Sequence, residues 1–424
     1  MRTAVKIGVI ADDFTGATDL ANNLVRSGMR VTQTIGVPSG SLAEPADAVV
    51  VALKTRTACA TDAVAESLNA LHWLQAQGAA QIYFKYCSTF DSTEQGNIGP
   101  VIDALMHALG TDFTIACPAF PENGRVVFKG YLFVGDELLH ESGMRHHPLT
   151  PMHDSNLVRV LQAQTRHRVA LIDYRTVGLG SVAIAERIAQ LRAGGFGVAI
   201  VDATSNADLM AMGQALAVMP LLTGGSGVAI GLPQNHNMDA PQTSAQLPAA
   251  RGWRAIVSGS CSEATNGQVA DFAARGGACF AIDPLQLLNG NDVAEQALAW
   301  ADSHLQAGPV LIYATAQADA VRAVQSEFGA LRAGEMVENV LASVARGLVE
   351  RGVGQLVLAG GETSGACVQA LGISSMRIGP QIAPGVPWCY GHSPHAAGGS
   401  LHMALKSGNF GAADFFTQAF TLLA

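Results

Sequence analysis

Two α/β domains with mainly parallel sheets are predicted by three features of this 424-residue chain. Short β-rich runs alternate with longer helical patterns, an aperiodic Pro-rich stretch breaks the alternation past the middle, and several strands end in carboxylate, hydroxyl or glycine loops. Strands spaced by helices imply βαβ units with right-handed crossovers. In such sheets ligands bind outside the carboxyl ends of the strands.

The first strand, over 5–10, ends abruptly in Asp12-Asp13, followed by Thr15-Gly16 and a helix over 17–25 closed by Gly28. One acid suffices to cap a helix and favour its positive end. The second acid beside it points to solvent or substrate. Further strands are expected over 48–53, 81–86, 113–117, 169–172 and 198–201, with helices over 63–77, 98–109, 156–164 and 181–193. Residues 126–135 stand apart as a small hairpin, a candidate lid or dimer contact. Residues 233–250, polar and Pro-rich, form the expected linker between domains 1–232 and 251–424. The second domain should hold strands over 255–258, 310–314, 355–359 and 400–405, with helices over 263–275 and 412–420.

Composition narrows the function. Apolar residues make up 49% and charged residues 14%, well under the usual charged share of about 25%. Large cores and a weakly charged surface follow, which suits an oligomer such as a homodimer. A net charge of −9, with 25 scattered Lys and Arg, offers no general field to nucleic acid. Seven cysteines without a CxxC read as reduced thiols of a cytoplasmic protein. The apolar run after Met1-Arg2-Thr3 is too short for a signal peptide or a membrane span.

The polar loops carry the chemistry. Lys54-Thr55-Arg56 follows the second of these strands, and Lys85 to Thr93 follows the third, with Ser88, Asp91, Ser92 and Thr93 in its loop. With Asp12 and Asp13 these residues suit a small polyhydroxylated acid: Arg56 and Lys85 for its carboxylate, Asp and Ser/Thr for its hydroxyls. In the second domain Ser258-Gly259-Ser260, Gly360-Gly361-Glu362-Thr363 and Lys406-Ser407-Gly408 each follow a strand. Glycines allow close backbone approach, and a helix N-terminus offers free N–H groups to an anion. Tight turns would look the same singly; their repetition favours a nucleotide or phosphate site, where Lys406 could meet a phosphate as a point charge. Gly224-Gly225-Ser226-Gly227 is a weaker anion cradle. No G-x-x-x-x-G-K-[ST] is present, and no dinucleotide fingerprint opens a helix. His146-His147 and His153-Asp154 lack a third ligand at zinc spacing, so no metal site is assigned. The serines at 258, 260 and 262 lack a nucleophile elbow.

Asp12-Asp13-Phe14-Thr15-Gly16-Ala17, Asp91-Ser92-Thr93 with Gly96-Asn97, Ser258-Gly259-Ser260, Gly360 to Thr363 and Lys406 to Gly411 together resemble the four-carbon acid sugar kinases, in order along both domains. The spacing from Lys85 to Thr93 looks most like the 3-oxo-tetronate branch. The threonate and erythronate branch has a shorter spacing followed by Arg-Gly, where this chain has Glu94-Gln95-Gly96. The resemblance implies an N-terminal domain binding the sugar acid through Asp12, Arg56 and 85–93, and a C-terminal domain binding ATP through Ser258, Gly360–Thr363 and the loop near Gly408. It further implies Mg²⁺-dependent phosphorylation of the terminal hydroxyl, with Asp12 or Asp13 as base. The rivals are the same chemistry on threonate or erythronate, a non-catalytic sugar-acid sensor, and an NAD(P)-linked oxidoreductase. Intact glycine loops weigh against the sensor, and the missing fingerprint weighs against the oxidoreductase.

Overall fold

The computed structural model describes residues 5–42, 44–147, 150–236, 238, 244–283, 286, 292–315 and 330–423. The chain forms two compact units, Met1–Ser244 and Ala245–Ala424, dividing inside the expected linker. The described ends of that segment are not loose. Pro233–His236 is a 3-10 turn, and its Gln234 and Asn235 side chains donate to carbonyls of Met210, Gly231 and Gly213. The Pro248 carbonyl accepts from His402 Nε2 at 2.9 Å. Residues 239–243 lie outside the described residues.

The first unit is built on eight parallel strands: β1 (Ile7–Ala11), β2 (Val31–Ile35), β3 (Ala48–Ala52), β4 (Gln81–Lys85), β5 (Thr114–Cys117), β9 (Val169–Ile172), β10 (Val198–Val201) and β11 (Leu221–Gly224), in the order β2-β3-β1-β4-β11-β5-β10-β9. Strands β1 and β3 read IGVIA and AVVVA and are wholly buried, as expected where helices cover both sheet faces. Sequence patterning misses β2, where buried Gln33 and Thr34 interrupt the apolar run, and β11, which ends in glycine. Strand β1 lies between β3 and β4, so the order reverses there and opens the crevice that ligands use. Register aligns Ala11 with both Ala52 and Lys85, placing three strand ends level.

The hairpin expected over 126–135 is a three-stranded antiparallel sheet, β6 (Arg125–Phe128), β7 (Tyr131–Val134) and β8 (Glu137–Leu138). It is fastened rather than poised as a lid. Val127 and Ala203 form a bridge, and fully buried Asp202 accepts the backbone N–H groups of Lys129, Gly130 and Tyr174 at 2.7, 2.8 and 2.8 Å.

In the second unit β13 (Ala278–Ala281), β14 (Val310–Tyr313), β12 (Trp253–Ser258), β15 (Val353–Ala359) and β18 (Ser400–Lys406) run parallel in that order, and β17 (Val386–His392) and β16 (Ser375–Ala383) extend the sheet antiparallel. Register sets Ser258 beside Ala359 and Ala359 beside Lys406, so the loops after β12, β15 and β18 emerge side by side. Pro380, Gly385 and Pro387 hide the β16–β17 pair from sequence patterning. The expected helix over 412–420 is shorter, Phe415–Gln418 continued by a 3-10 turn. It packs against buried Trp388, whose indole N–H donates to the Ala419 carbonyl at 2.9 Å. Among the described residues no helix is long and apolar enough to cross a membrane.

Asp202→Ala would remove the acceptor of three N–H groups, that of Gly130 buried and those of Lys129 and Tyr174 partly so. A loss of about 2–3 kcal/mol is expected, read as a lower urea midpoint. An unchanged midpoint would show that the hairpin does not depend on this carboxylate.

Candidate functional site

At the level strand ends of the first unit, four charges interlock. Arg56 Nε and Nη2 clamp Asp12 at 2.8 Å each, and Nη2 also reaches Asp13 at 2.5 Å. Lys85 Nζ lies 3.7 Å from Asp12 and 3.5 Å from Asp13. The Lys85 side chain is only 3% exposed, yet Asp13 and Asp12 hold its pKa above the ordinary value despite burial. Backbone bonds lock the frame: Asp12 N–H donates to the Lys85 carbonyl, while Thr55 and Arg56 N–H donate to the Asp12 carbonyl.

The two acids are not equivalent. Asp13 is the N-cap of helix Phe14–Arg26, accepting from Gly16 N–H at 3.1 Å and Thr15 Oγ1 at 2.7 Å. Burial opposes ionisation there, but Arg56, Lys85 and these donors hold its carboxyl well below the usual range. Burial pushes Asp12 above that range, against the pull of Arg56 and Lys85. Asp12 is therefore the better proton acceptor, and Asp13 a brace. Gly16 is required by the close approach of Lys85: a Cβ there would collide with Lys85 Nζ and Asp13 Oδ1.

The 85–93 loop divides likewise. Ser88, Asp91 and Thr93 stay partly exposed, and Thr89 Oγ1 donates to Asp91 Oδ1 at 2.6 Å. Ser92, expected to touch substrate, is instead buried and donates to Gln164 Oε1 at 3.0 Å. The loop turns on Phe90, in the left-handed region at φ 50° and wholly buried against Tyr86. Asn97, noted in the sequence only as part of the Gly96-Asn97 motif, emerges as a positioning residue. It precedes helix Ile98–Leu109 but makes no capping bond. Its Nδ2 instead holds the carbonyls of Thr55, Arg56 and Ala58, which shapes the Arg56 loop. An Asn before a helix reads as a cap, so nothing local reveals this role.

In the second unit the three glycine loops pack on one another. Gly259 N–H donates to the Ala359 carbonyl and Gly360 N–H to the Lys406 carbonyl. Gly360 sits at φ 120°, and a Cβ there would press on Ser260 N and Thr363 Oγ1. Helix Gly361–Ala370 begins here with Gly361 and Glu362 exposed and Thr363 buried. Ser262 Oγ and Thr265 Oγ1 donate to the Gly408 carbonyl at 2.6 and 2.8 Å.

Two expected contacts change character. Ser258 is fully buried, its hydroxyl paired with Thr315 Oγ1 at 2.7 Å. Lys406 is fully buried too, its ammonium turned into its own loop. Its ammonium donates to Thr265 Oγ1 and to the carbonyls of Ser407, Gly408 and Phe410 at 3.0–3.2 Å, knitting the loop from within. Burial pulls its pKa down to about 7, while the surrounding oxygens favour the charged form.

Comparison with known proteins agrees with this division. A family model described as the sugar-binding N-terminal domain matches residues 7–232, and one described as the nucleotide-binding C-terminal domain matches 255–416. A 3-oxo-tetronate kinase of Cupriavidus necator is 58% identical, covering 97% of this chain and 96% of that protein. The chain belongs to the four-carbon acid sugar kinase family. Within this family a 3-oxo-tetronate kinase of Pseudomonas fluorescens is 56% identical, covering 99% of this chain and 97% of its own. A solved Haemophilus influenzae structure is 44% identical with a TM-score of 0.78, covering 98% of this chain and 100% of that one.

Two outcomes follow from these side chains. Asp13 has a folded pKa below its unfolded one, so its stabilisation is complete above about pH 4 and is lost as pH falls further. Asp13→Asn should thus be less stable than the parent at neutral pH, the gap closing in acid unfolding titrations. Lys406→Met removes the ammonium around which the loop closes, leaving the Gly408 carbonyl to Ser262 and Thr265 and the Phe410 carbonyl to Gln268. Nucleotide affinity should fall roughly tenfold or more, as measured by calorimetry, with acid affinity unchanged.

Proposed function

We propose that the chain transfers the γ-phosphoryl group of ATP to the 4-hydroxyl of 3-oxo-tetronate. The observation that carries this reading is the Asp12–Arg56–Lys85 cluster at the strand ends of a domain matched as sugar-binding, in a chain whose second domain is matched as nucleotide-binding. The cations balance Asp12 and Asp13 before any ligand arrives. Arg56 Nη1 makes no hydrogen bond among the described residues, which leaves it and Lys85 for the acid's carboxylate. Relatives named 3-oxo-tetronate kinase align over nearly the whole chain, which supports this acid over threonate or erythronate.

Phosphoryl transfer passes through a loose transition state, so positioning and charge neutralisation dominate. Asp12 orients the 4-hydroxyl and takes its proton as the hydroxyl oxygen bonds to the γ-phosphorus and the bond to the ADP oxygen breaks. Backbone N–H groups at Gly360–Thr363 cradle the phosphates. Among the described residues no group of three metal-ligating side chains occurs. A magnesium ion bound with the nucleotide would offset charge on the phosphates, and Glu362, exposed at the start of helix Gly361–Ala370, is the carboxylate proposed to help hold it.

ADP release should require Mg-ATP and 3-oxo-tetronate, and should be absent without the acid. Turnover on threonate or erythronate alone would move the chain to the other branch. Asp12→Asn should lower kcat by ~10²–10⁴-fold with little change in ATP affinity. Equal loss in Asp13→Asn would remove the distinction between the two acids.

A further inference from the structure

Helix Phe14–Arg26 is buried along almost its whole length, yet it carries Asp19, Asn22 and Asn23 inward. Asp19 is 4% exposed. Its Oδ2 accepts from Ser226 Oγ at 2.5 Å, and Asn23 Nδ2 donates to the Ser226 carbonyl at 2.9 Å. The helix is thereby tied to the Gly225-Ser226-Gly227 loop that follows β11. Asp19 Oδ1 is buried and has no hydrogen-bond partner among the described residues. A buried carboxylate oxygen left bare is costly, and a residue needed only to hold Ser226 would not require it.

Its place in the fold indicates what could use that oxygen. Lys85 Nζ rests on Gly16, and Asp19, three residues on, lies on the same helix face. The charges of Lys85, Asp13 and Arg125 all reach Asp19. Arg125, at the start of β6, is in turn within reach of Cys87 and Asp91. Asp19 thus belongs to the inner end of the same charged cluster. Burial raises its pKa to about 7, so the carboxyl can offer either a proton or a lone pair near neutrality.

We propose that Asp19 is a specificity-determining residue whose Oδ1 hydrogen-bonds the C2 hydroxyl of the acid, with Ser226 fixing the carboxyl. This rests on the reading of the first domain as the acid site. With the carboxylate on Lys85 and Arg56, the C2 hydroxyl lies beside it, on the side of the Gly16–Asp19 helix face. The terminal hydroxyl extends toward Asp12.

The test compares kcat/KM for 3-oxo-tetronate and for 4-hydroxy-3-oxobutanoate, which lacks the C2 hydroxyl, in the parent and in Asp19→Asn. The parent should prefer the hydroxylated acid by roughly tenfold or more. Asp19→Asn should lose most of that preference through KM for the acid, with KM for ATP unchanged. An equal loss on both acids would make Asp19 structural and overturn the proposal, as would an unchanged preference. Should Asp19→Asn not fold, Ser226→Ala carries the comparison, and an unchanged preference there overturns the proposal equally. Arg56→Met separates the two layers. If it weakens acid binding while Asp19→Asn does not alter the preference, only the role of Asp19 falls. If Arg56→Met leaves acid binding intact, the reading of the first domain as the acid site falls with it.

Discussion

The first unit depends on keeping the Lys85 ammonium charged inside the protein. An isolated buried ammonium would lose its proton or unfold its surroundings. Asp12 and Asp13 prevent this, and Arg56 in turn balances the acids. Everything nearby serves that balance. Strand register brings Ala11, Ala52 and Lys85 level, Gly16 leaves space for the ammonium, and Asn97 holds the Arg56 loop. Two acids in succession are explained by this division of labour. One caps the helix and has its pKa held down by Arg56 and Lys85; the other is clamped by Arg56, and burial raises its pKa.

The second unit solves a similar problem by different means. Lys406 is as deeply buried as Lys85, but its ammonium is satisfied by loop carbonyls and one hydroxyl rather than by carboxylates. A carboxylate there would repel phosphate, whereas carbonyls turned inward around an ammonium leave no excess negative charge. The loop curls around Lys406, its shape set by a cation that no ligand needs to touch. Glycines at 259, 360 and 408 let the loops close on one another, because a Cβ at any of them would press on a neighbouring loop.

Much of this was legible along the chain, and the failures are instructive. Strands β1 and β3 announce themselves because strands covered on both faces are continuous apolar runs. Strand β2 does not, since buried Gln33 and Thr34 break the apolar run, Gln33 Nε2 donating to the Phe14 carbonyl at 3.3 Å and Thr34 Oγ1 to the Gly36 carbonyl at 2.9 Å. The β16–β17 pair was hidden because proline and glycine read as turn residues, although the register shifts around Gln381 accommodate Pro380 and Pro387 within the pair. Asp12, Asp13, Arg56 and Lys85 were legible as strand-end polar residues. Ser92, Ser258 and Lys406 were legible as polar loop residues, but their direction was not, because a side chain turning inward leaves no mark in local patterning.

The sequence by itself determined the two α/β domains and the strand ends where polar and glycine loops gather, because these follow from periodicity and residue chemistry, while the kinase character came from the resemblance of those loops to a known family. Tertiary structure alone decided that Asp13 caps the helix while Asp12 is clamped by Arg56, that Asn97 clamps rather than caps, and that Asp19 meets Ser226 some two hundred residues away. Those assignments depend on burial and on hydrogen-bond partners from distant strands, and neither exists until the sheet has set its order and register.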